Sequence, residues 1–282
     1  MNKNIGIVGL GFVGTAIYEG LKSEHKVFTY DKIKDCNVNS LKELVDSCEY
    51  IFVAVPTPMK NTGECDLSIL SEVISDISSK STSRKTIIIK STSPVGTTEN
   101  FSHKYNNLDF VFNPEFLTEA NFIEDFKNQD FIILGGEKQA CNEVKKFLLR
   151  SFPNCDYFIT NSKTAELVKY TINNFLAIKV SFANEIYSFC DKMEIDYNEM
   201  IEIATNDSRL GQSHWSVPGP DGKHGFGGSC FPKDVSSLLY QLSSAKIESF
   251  IIKSALKRNT NIDRPERDWE LLEGRAVSAV EG

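Results

Sequence analysis

Through residue 160 the chain alternates short apolar runs with longer stretches whose apolar positions recur every three or four residues. The runs NIGIVGL (4–10), KVFTYD (26–31), YIFVAV (50–55), KTIIIKS (85–91), DFVFN (109–113), DFIILGG (130–136) and DYFIT (156–160) are β-branched or aromatic and show little polar alternation. A strand with one face in water alternates; a strand covered on both faces need not. The stretches at 13–22, 39–47, 67–79 and 138–150 have helical spacing. This rhythm predicts an α/β domain over residues 1–160, built on a doubly wound parallel sheet. No internal repeat of solenoid length is present.

From residue 161 the pattern changes. SKTAELVKYTINNFLAIKVSFANEIYSFCDKM contains neither proline nor glycine. Ser162 is the expected N-cap. The segment is apolar around most of its circumference, which predicts a long buried helix, packed against its own chain or against a second copy in a dimer. Lys169 and Asn173 stand at i and i+4 on one face. A lysine so placed either snorkels out of a core or serves a site, and spacing alone does not choose. Another helix is expected at 197–207, followed by SRLGQSHWSVPGPDGKHGFGGSC, too long for a plain connector. Pro232 suits the first turn of a further helix over DVSSLLYQL. Residues 161–262 thus read as an α-helical central domain, and 263–282 as a C-terminal tail.

Charge and composition narrow the partners. A net charge of −7 leaves no broad basic face, so nucleic acid is not expected, and any phosphate must meet local donors. The seven cysteines (36, 48, 65, 141, 155, 190 and 230) are scattered without a CxxC pair, and the four histidines do not cluster near them. No metal site is expected. An odd cysteine count, no cleavage site after MNKNIGIVGLGFVG, and no apolar run near the roughly 18 residues that span a bilayer predict a cytoplasmic protein without a membrane partner.

The chemistry begins with GLGFVG, Gly9 to Gly14. GxGxxG alone is weak; here it follows a strand, opens a helix, and precedes an acid, Asp31, at the end of a second strand. Gly9 permits a tight turn, Gly11 lets backbone approach a pyrophosphate, and Gly14 lets helix and strand pack; Phe12 and Val13 between them are expected cofactor contacts. The domain is therefore Rossmann-like. Asp31 would accept from ribose hydroxyls and repel a 2′-phosphate by roughly 4 kcal/mol at 4 Å and an effective dielectric near 20. NAD is the expected cofactor, with Lys32 and Lys34 as the features that favour NADP. Three more loops follow apolar strands, VPTPM (55–59), STSPVGTT (91–98) and NPEFLTEA (113–120). Any one could be a structural turn; three at one sheet edge argue for a site. In GFGGSCFPKD (225–234), Cys230 either packs as a small hydrophobe or is a nucleophile, since a helix N-terminus and Lys233 both favour a thiolate.

These segments together resemble the UDP-glucose/GDP-mannose dehydrogenase family. The likeness rests on GLGFVG, VPTP, KSTSPVGT, NPEFLTE, AELVKYTINNFLA and GFGGSCFPKD in this order, and covers residues 1 to about 262. It implies two successive NAD-dependent oxidations of a nucleotide sugar's C6 alcohol to the carboxylate, with UDP-glucose as the leading substrate and GDP-mannose or a UDP-N-acetylhexosamine as alternatives. By the same resemblance Cys230 attacks the C6 aldehyde, and Glu115 handles the water that hydrolyses the thioester. Lys169 and Asn173 stabilise charge on the C6 oxygen, and Asp234 helps deprotonate the alcohol, with Thr92 nearby. Pro56, Thr57, Thr92, Glu119 and Lys233 join the cofactor's surroundings. Phe116, Leu117, Glu119 and Gly227 line the substrate path with Glu115, and Arg209 reaches the substrate of a neighbouring subunit. A homodimer through 162–193 follows.

The sequence departs from the family pattern at the insert GQSHWSVPGPDGKH, at Phe131, where an arginine is expected, and after the central helices, where the family continues into a third domain. The diphosphate is then expected to meet Arg209 of a dimer partner, His214, Lys223, or Arg264, Arg267 and Arg275. Two readings compete. A simple hydroxyacid dehydrogenase shares the glycine loop but has no use for Cys230 and Glu115. A non-catalytic NAD-fold subunit predicts loss of catalytic residues that are all present.

Overall fold

The computed structural model describes residues 3–279. Packing divides them into two units, one reaching to Thr57 and resuming over Leu67–Lys169, the other made of Pro58–Asp66 and the chain from Tyr170 on.

The first unit is a seven-stranded sheet, β1 (Asn4–Val8), β2 (Lys26–Tyr30), β3 (Tyr50–Val53), β4 (Lys85–Ile89), β5 (Leu108–Phe112), β6 (Phe131–Gly136) and β7 (Asp156–Thr160), in the order β2-β1-β3-β4-β5-β6-β7. Its helices are α1 (Phe12–Leu21), α2 (Leu41–Ser47), α3 (Ser68–Lys80), α4 (Thr97–Lys104), α5 (Phe122–Lys127) and α6 (Lys138–Ser151). All seven expected strands are present. The strands read as continuously apolar because alternate residues enter two different cores. Ile51, Val53, Ile87, Ile89, Phe110 and Phe112 pack on one face; Tyr50, Phe52, Ile88 and Val111 pack on the other.

The sheet is not wholly parallel. β1 to β5 are parallel, but β6 meets β5 antiparallel through Val111↔Gly136 and Phe112↔Gly135 only, and β7 follows β6. The doubly wound expectation holds for five strands and is corrected for the last two. A parallel neighbour needs a crossover back along the strand; here the only helix in the connection, α5, packs on α1, so the chain returns from the edge it left.

The second unit is helical: the greater part of α7 (Ser162–Lys192), then α8 (Tyr197–Ala204), α9 (Phe231–Ser244) and α10 (Ile251–Arg258). The cap of α7 is Asn161 rather than Ser162, its Oδ1 accepting from Thr164 N at 2.9 Å. Trp215 and Val217 of the inserted loop bury against Ala183, Cys190 and Tyr197, and Tyr197 donates its hydroxyl to Trp215 O. The tail folds onto segment 58–66, where Ser278 N donates to Met59 O and Met59 N to Ala276 O. Among the described residues no helix is long and apolar enough to cross a membrane, and no cluster of three or more His, Cys, Asp or Glu is placed to hold a metal ion.

Candidate active site

In the first unit the register sets Val8, Val53, Ile89 and Phe112 side by side as the last residues of four parallel strands. The loops beginning at Gly9, Ala54, Lys90 and Asn113 therefore leave one edge in a row, spanning three strand spacings, about 14 Å. Thr57 Oγ1 donates to Thr92 O at 2.7 Å and Ser91 Oγ to Val55 O at 2.6 Å, tying the second loop to the third. Thr57 and Thr92 are buried, while Pro56 is exposed.

At the first loop the glycines separate by physical role. Gly9 has φ 93°, and an added Cβ would lie 2.7 Å from Ala54 O; at Gly14 it would lie 1.8 Å from Gly9 O. Both must be glycine for the fold. An added Cβ at Gly11 meets nothing within 4 Å. This open approach, beside the backbone that starts α1 at Phe12 and Val13, fits a pyrophosphate on a helix N-terminus. Asp31 accepts from Leu10 N at 2.7 Å, Ile33 N at 2.9 Å and Lys34 N at 3.1 Å, which uses three of its roughly four lone-pair directions. Burial pushes its pKa up, but these N–H groups and the Lys34 charge outweigh it and hold the carboxyl below its usual range. The lysines that favoured NADP are engaged elsewhere: Lys34 Nζ donates to Leu10 O at 2.5 Å, and Lys32 pairs with Glu72 at 2.9 Å.

The fourth loop carries Glu115. Its Oε1 lies 3.1 Å from Lys169 Nζ, its Oε2 accepts from Leu117 N at 2.7 Å, and Lys169 Nζ also donates to Glu115 O at 2.5 Å. Burial raises the Glu115 pKa, yet Lys169 first, then the Leu117 N–H and the Lys90 charge, bring it below the ordinary value. It is a buried, ionised carboxylate. Phe116 lies beneath Lys169, the ammonium 5.1 Å from the ring centroid, and packs on Phe131, whose other neighbour is Phe158. Phe131 thus links Phe116 and Phe158 in an aromatic cluster of tilted and edge-on rings. Glu119 lies further out, exposed.

Two supports of these loops escaped the sequence. Glu166, fully buried, accepts from Gly96 N at 2.6 Å and from Thr98 N and Oγ1 at 2.8 and 2.7 Å, capping α4 and the STSPVGTT loop. Lys90, last in the run KTIIIK, is 3 % exposed and donates to Asn113 Oδ1 at 3.0 Å and Pro114 O at 3.3 Å. A lysine ending an otherwise apolar run is the one signal that could have drawn attention to it.

In the second unit Cys230 is the N-cap residue of α9, half-buried, with Pro232 in the first turn. Asp234, 1 % exposed, accepts from Asn173 Nδ2 at 2.6 Å and Lys233 Nζ at 2.5 Å, while Asn174 Nδ2 donates to its backbone carbonyl. Burial would lower the Lys233 pKa, but the negative charges available at Asp234, Cys230 and Cys65 hold it well above the usual lysine value. Cys230, Lys233, Asp234 and Asn173 are thus one local group built on α9 and α7.

The glycine loop before Cys230 is fastened from three sides. Asn259 accepts from Phe226 N at 2.7 Å and donates to Phe226 O at 2.8 Å, and Asn184 accepts from Gly225 N. At Gly227 an added Cβ would lie 2.4 Å from the Arg264 guanidinium, so the close approach there is to Arg264; at Gly228 it would meet nothing within 4 Å. Arg264 is itself buried, donating to Asp268 at 2.7 and 2.8 Å and to Asp221 at 2.6 Å, and Lys223 pairs with Asp268 at 2.7 Å. Arg264 and Lys223, expected at a diphosphate, instead join the inserted loop to the tail. Arg209 stands on an exposed turn beside Asp207.

Comparison with known proteins finds matches over both parts of the chain. The NAD binding domain of the UDP-glucose/GDP-mannose dehydrogenase family matches residues 34–153, and the family's central domain matches 163–261. The UDP-glucose 6-dehydrogenase of Rickettsia typhi is 32% identical over 251 residues, covering 86% of this chain and 56% of its own. A UDP-glucose dehydrogenase structure from Pyrobaculum islandicum superposes with a TM-score of 0.81 at 27% identity, covering 92% of this chain and 68% of its own. A UDP-D-ManNAc dehydrogenase from Pyrococcus horikoshii gives 0.76 at 25%, covering 91% and 68%. The chain belongs to the UDP-glucose/GDP-mannose dehydrogenase family, and it spans a little over half the length of the curated relatives it matches.

Proposed function

We propose that this chain carries the catalytic centre of an NAD-dependent nucleotide-sugar 6-dehydrogenase, taking the C6 alcohol of a UDP-hexose, UDP-glucose first, to the carboxylate. The observation that carries the reading is the group on α9: a thiol at a helix N-terminus beside a buried lysine cation, with a buried aspartate hydrogen-bonded to Asn173 one turn on. Such surroundings favour a thiolate.

NAD, held at Gly9, Gly11, Phe12, Val13, Gly14 and Asp31 with Pro56, Thr57, Thr92, Glu119 and Lys233 around it, supplies the acceptor for two hydrides. The roles of the chain's own groups follow from their chemistry. Asp234 takes the alcohol proton, through water, as the C6–H bond breaks to leave an aldehyde. The Cys230 thiolate adds to that aldehyde, giving a thiohemiacetal whose oxygen carries negative charge. Lys169 and Asn173 stabilise that oxygen; one such donor contributes about 3–4 kcal/mol to a transition state. Loss of the second hydride leaves a thioester. Glu115 takes a proton from the attacking water, the C–S bond breaks, and the thiolate and the acid are released. Phe116, Leu117, Gly227 and Arg209 are assigned to the substrate path. GDP-mannose and UDP-N-acetylhexosamines are the alternative substrates.

A homodimer through 162–193 fits the apolar stripe that α7 leaves uncovered, Phe175, Phe182 and Phe189, 64%, 53% and 58% exposed at seven-residue intervals. A reducing, cytoplasmic setting fits seven free thiols. The test is NADH formation with a panel of nucleotide sugars. Two NADH per sugar are expected with the native protein, and no acid with Cys230→Ala. Acid formation by that variant at the native rate would remove the covalent mechanism, and no NADH from any nucleotide sugar would remove the function.

A further inference from the structure

Lys90 is a buried cation without a dedicated carboxylate. It is the first residue after β4, beside the end of β5 in the row of strand ends. Its Nζ donates to the Asn113 side chain at 3.0 Å and the Pro114 carbonyl at 3.3 Å, the two residues before Glu115, and lies 5.6 Å from the centroid of the Phe126 ring. Asn113 is turned to receive it because its Nδ2 donates to Ile133 O at 2.8 Å across the antiparallel junction. One ammonium therefore holds both the chain leading into Glu115 and the side chain that ties that loop to β6. A lysine filling apolar space would snorkel to water; this one is aimed inward.

The charged groups that act on Lys90 are Glu115 from the β5–α5 loop and Lys169 from α7. Two lysines and one carboxylate share a buried volume, so the positive charge is only half compensated. The Lys169–Glu115 pair is direct, and Lys90 acts on Glu115 from behind, through the backbone.

We propose that Lys90 is a positioning residue for Glu115, fixing through Asn113 and Pro114 the backbone from which that carboxylate projects and presenting it with a second buried cation. The proposal rests on the reading of Glu115 as the base for thioester hydrolysis. Burial, more than the opposed effects of Glu115 and Lys169, brings the Lys90 ammonium down to about 7. As Lys90 discharges, Glu115 loses one stabilising cation and becomes the stronger base, so hydrolysis should quicken as pH rises through about 7.

The experiment has two arms. In the first, acid formation by the native protein, Lys90→Met and Lys90→Arg is followed across pH. Lys90→Met should lower kcat by of order a hundredfold, as expected for a misplaced catalytic group, with KM for NAD little changed. Lys90→Arg keeps charge and donors at every pH, so it should retain much of the rate and lose the limb near neutrality. In the second, glutamate labelled at its carboxyl carbon is titrated by NMR in the native protein and Lys90→Arg. The Glu115 signal should inflect near pH 7 in the native protein only. This arm needs no turnover, so a protein that oxidises no nucleotide sugar would sink the functional reading while Lys90 is still tested. A native rate and pH profile in Lys90→Met, or a Glu115 signal without an inflection near neutrality, would overturn the proposal.

Discussion

At the scale of single residues the site works by setting charge against burial. Glu115 is held ionised inside the protein because Lys169 lies 3.1 Å away, and Asp31 is held ionised mainly by three backbone N–H groups. The second case decides cofactor choice. Lys32 is drawn to Glu72 and Lys34 to Leu10 O; the Lys34 charge offsets part of the Asp31 charge, and the carboxylate remains the group that repels a 2′-phosphate. NAD should exceed NADP in kcat/KM by at least about tenfold, since a difference of 1.36 kcal/mol already gives that factor. Asp31→Asn keeps an acceptor and drops the charge, so the gap should narrow. Equal use of both cofactors by the native protein would show that the lysines dominate there. The tight turn at Gly9 and the close packing at Gly14 were legible in the sequence because backbone geometry is local. Lys90 was not, because its acceptors lie at Asn113 and Pro114, on another strand's loop.

At the scale of elements, the start of α9 is positioned by side chains distant in sequence. Asn259 gives Phe226 both a donor and an acceptor, as a neighbouring strand would, and so fixes the loop that presents Cys230. Asn259→Ala leaves that buried N–H and C=O without these partners, which should cost about 2–4 kcal/mol in urea unfolding and reduce turnover with it. A loss under half a kilocalorie would mean that the loop finds other partners. The loop–tail network is a pH element. Arg264 first, then Lys223, hold Asp268 well below the usual carboxylate range despite its burial. A carboxylate with a depressed folded-state pKa contributes stability that is full above its unfolded value, about 3.9, and is lost as pH falls through the folded one. The melting temperature of the native protein should therefore fall more steeply below about pH 4 than that of Asp268→Asn. Identical acid limbs would show that the network is too solvated to matter.

At the scale of the whole molecule, the question is what covers α7. Burial of one phenylalanine side chain contributes about 1.5–3 kcal/mol, and three stand exposed at heptad spacing in a single chain. Light scattering should report a dimer for the native protein and a monomer for Phe182→Glu, with unchanged circular dichroism. A native monomer would leave the stripe to another partner. Pro58–Asp66 belongs to the second unit although it leaves from a loop of the first, so Cys65 comes under the influence of the Lys233 charge.

The sequence by itself determined the elements whose cause is local: seven strands from short apolar runs, the glycine turn, the long helix without proline or glycine, and the cysteine before Pro232. Short α4, α5 and α10, of 6 to 8 residues, were not read, because so few turns give a weak periodicity, although α2 and α8, equally short, were. Only the tertiary structure decided the reversal of β6, the capture of Arg264 and Lys223 by Asp221 and Asp268, and the burial of Lys90 and Glu166. Each of these depends on which distant group a side chain meets, and a charge reveals its role only when its partner and its distance from water are known.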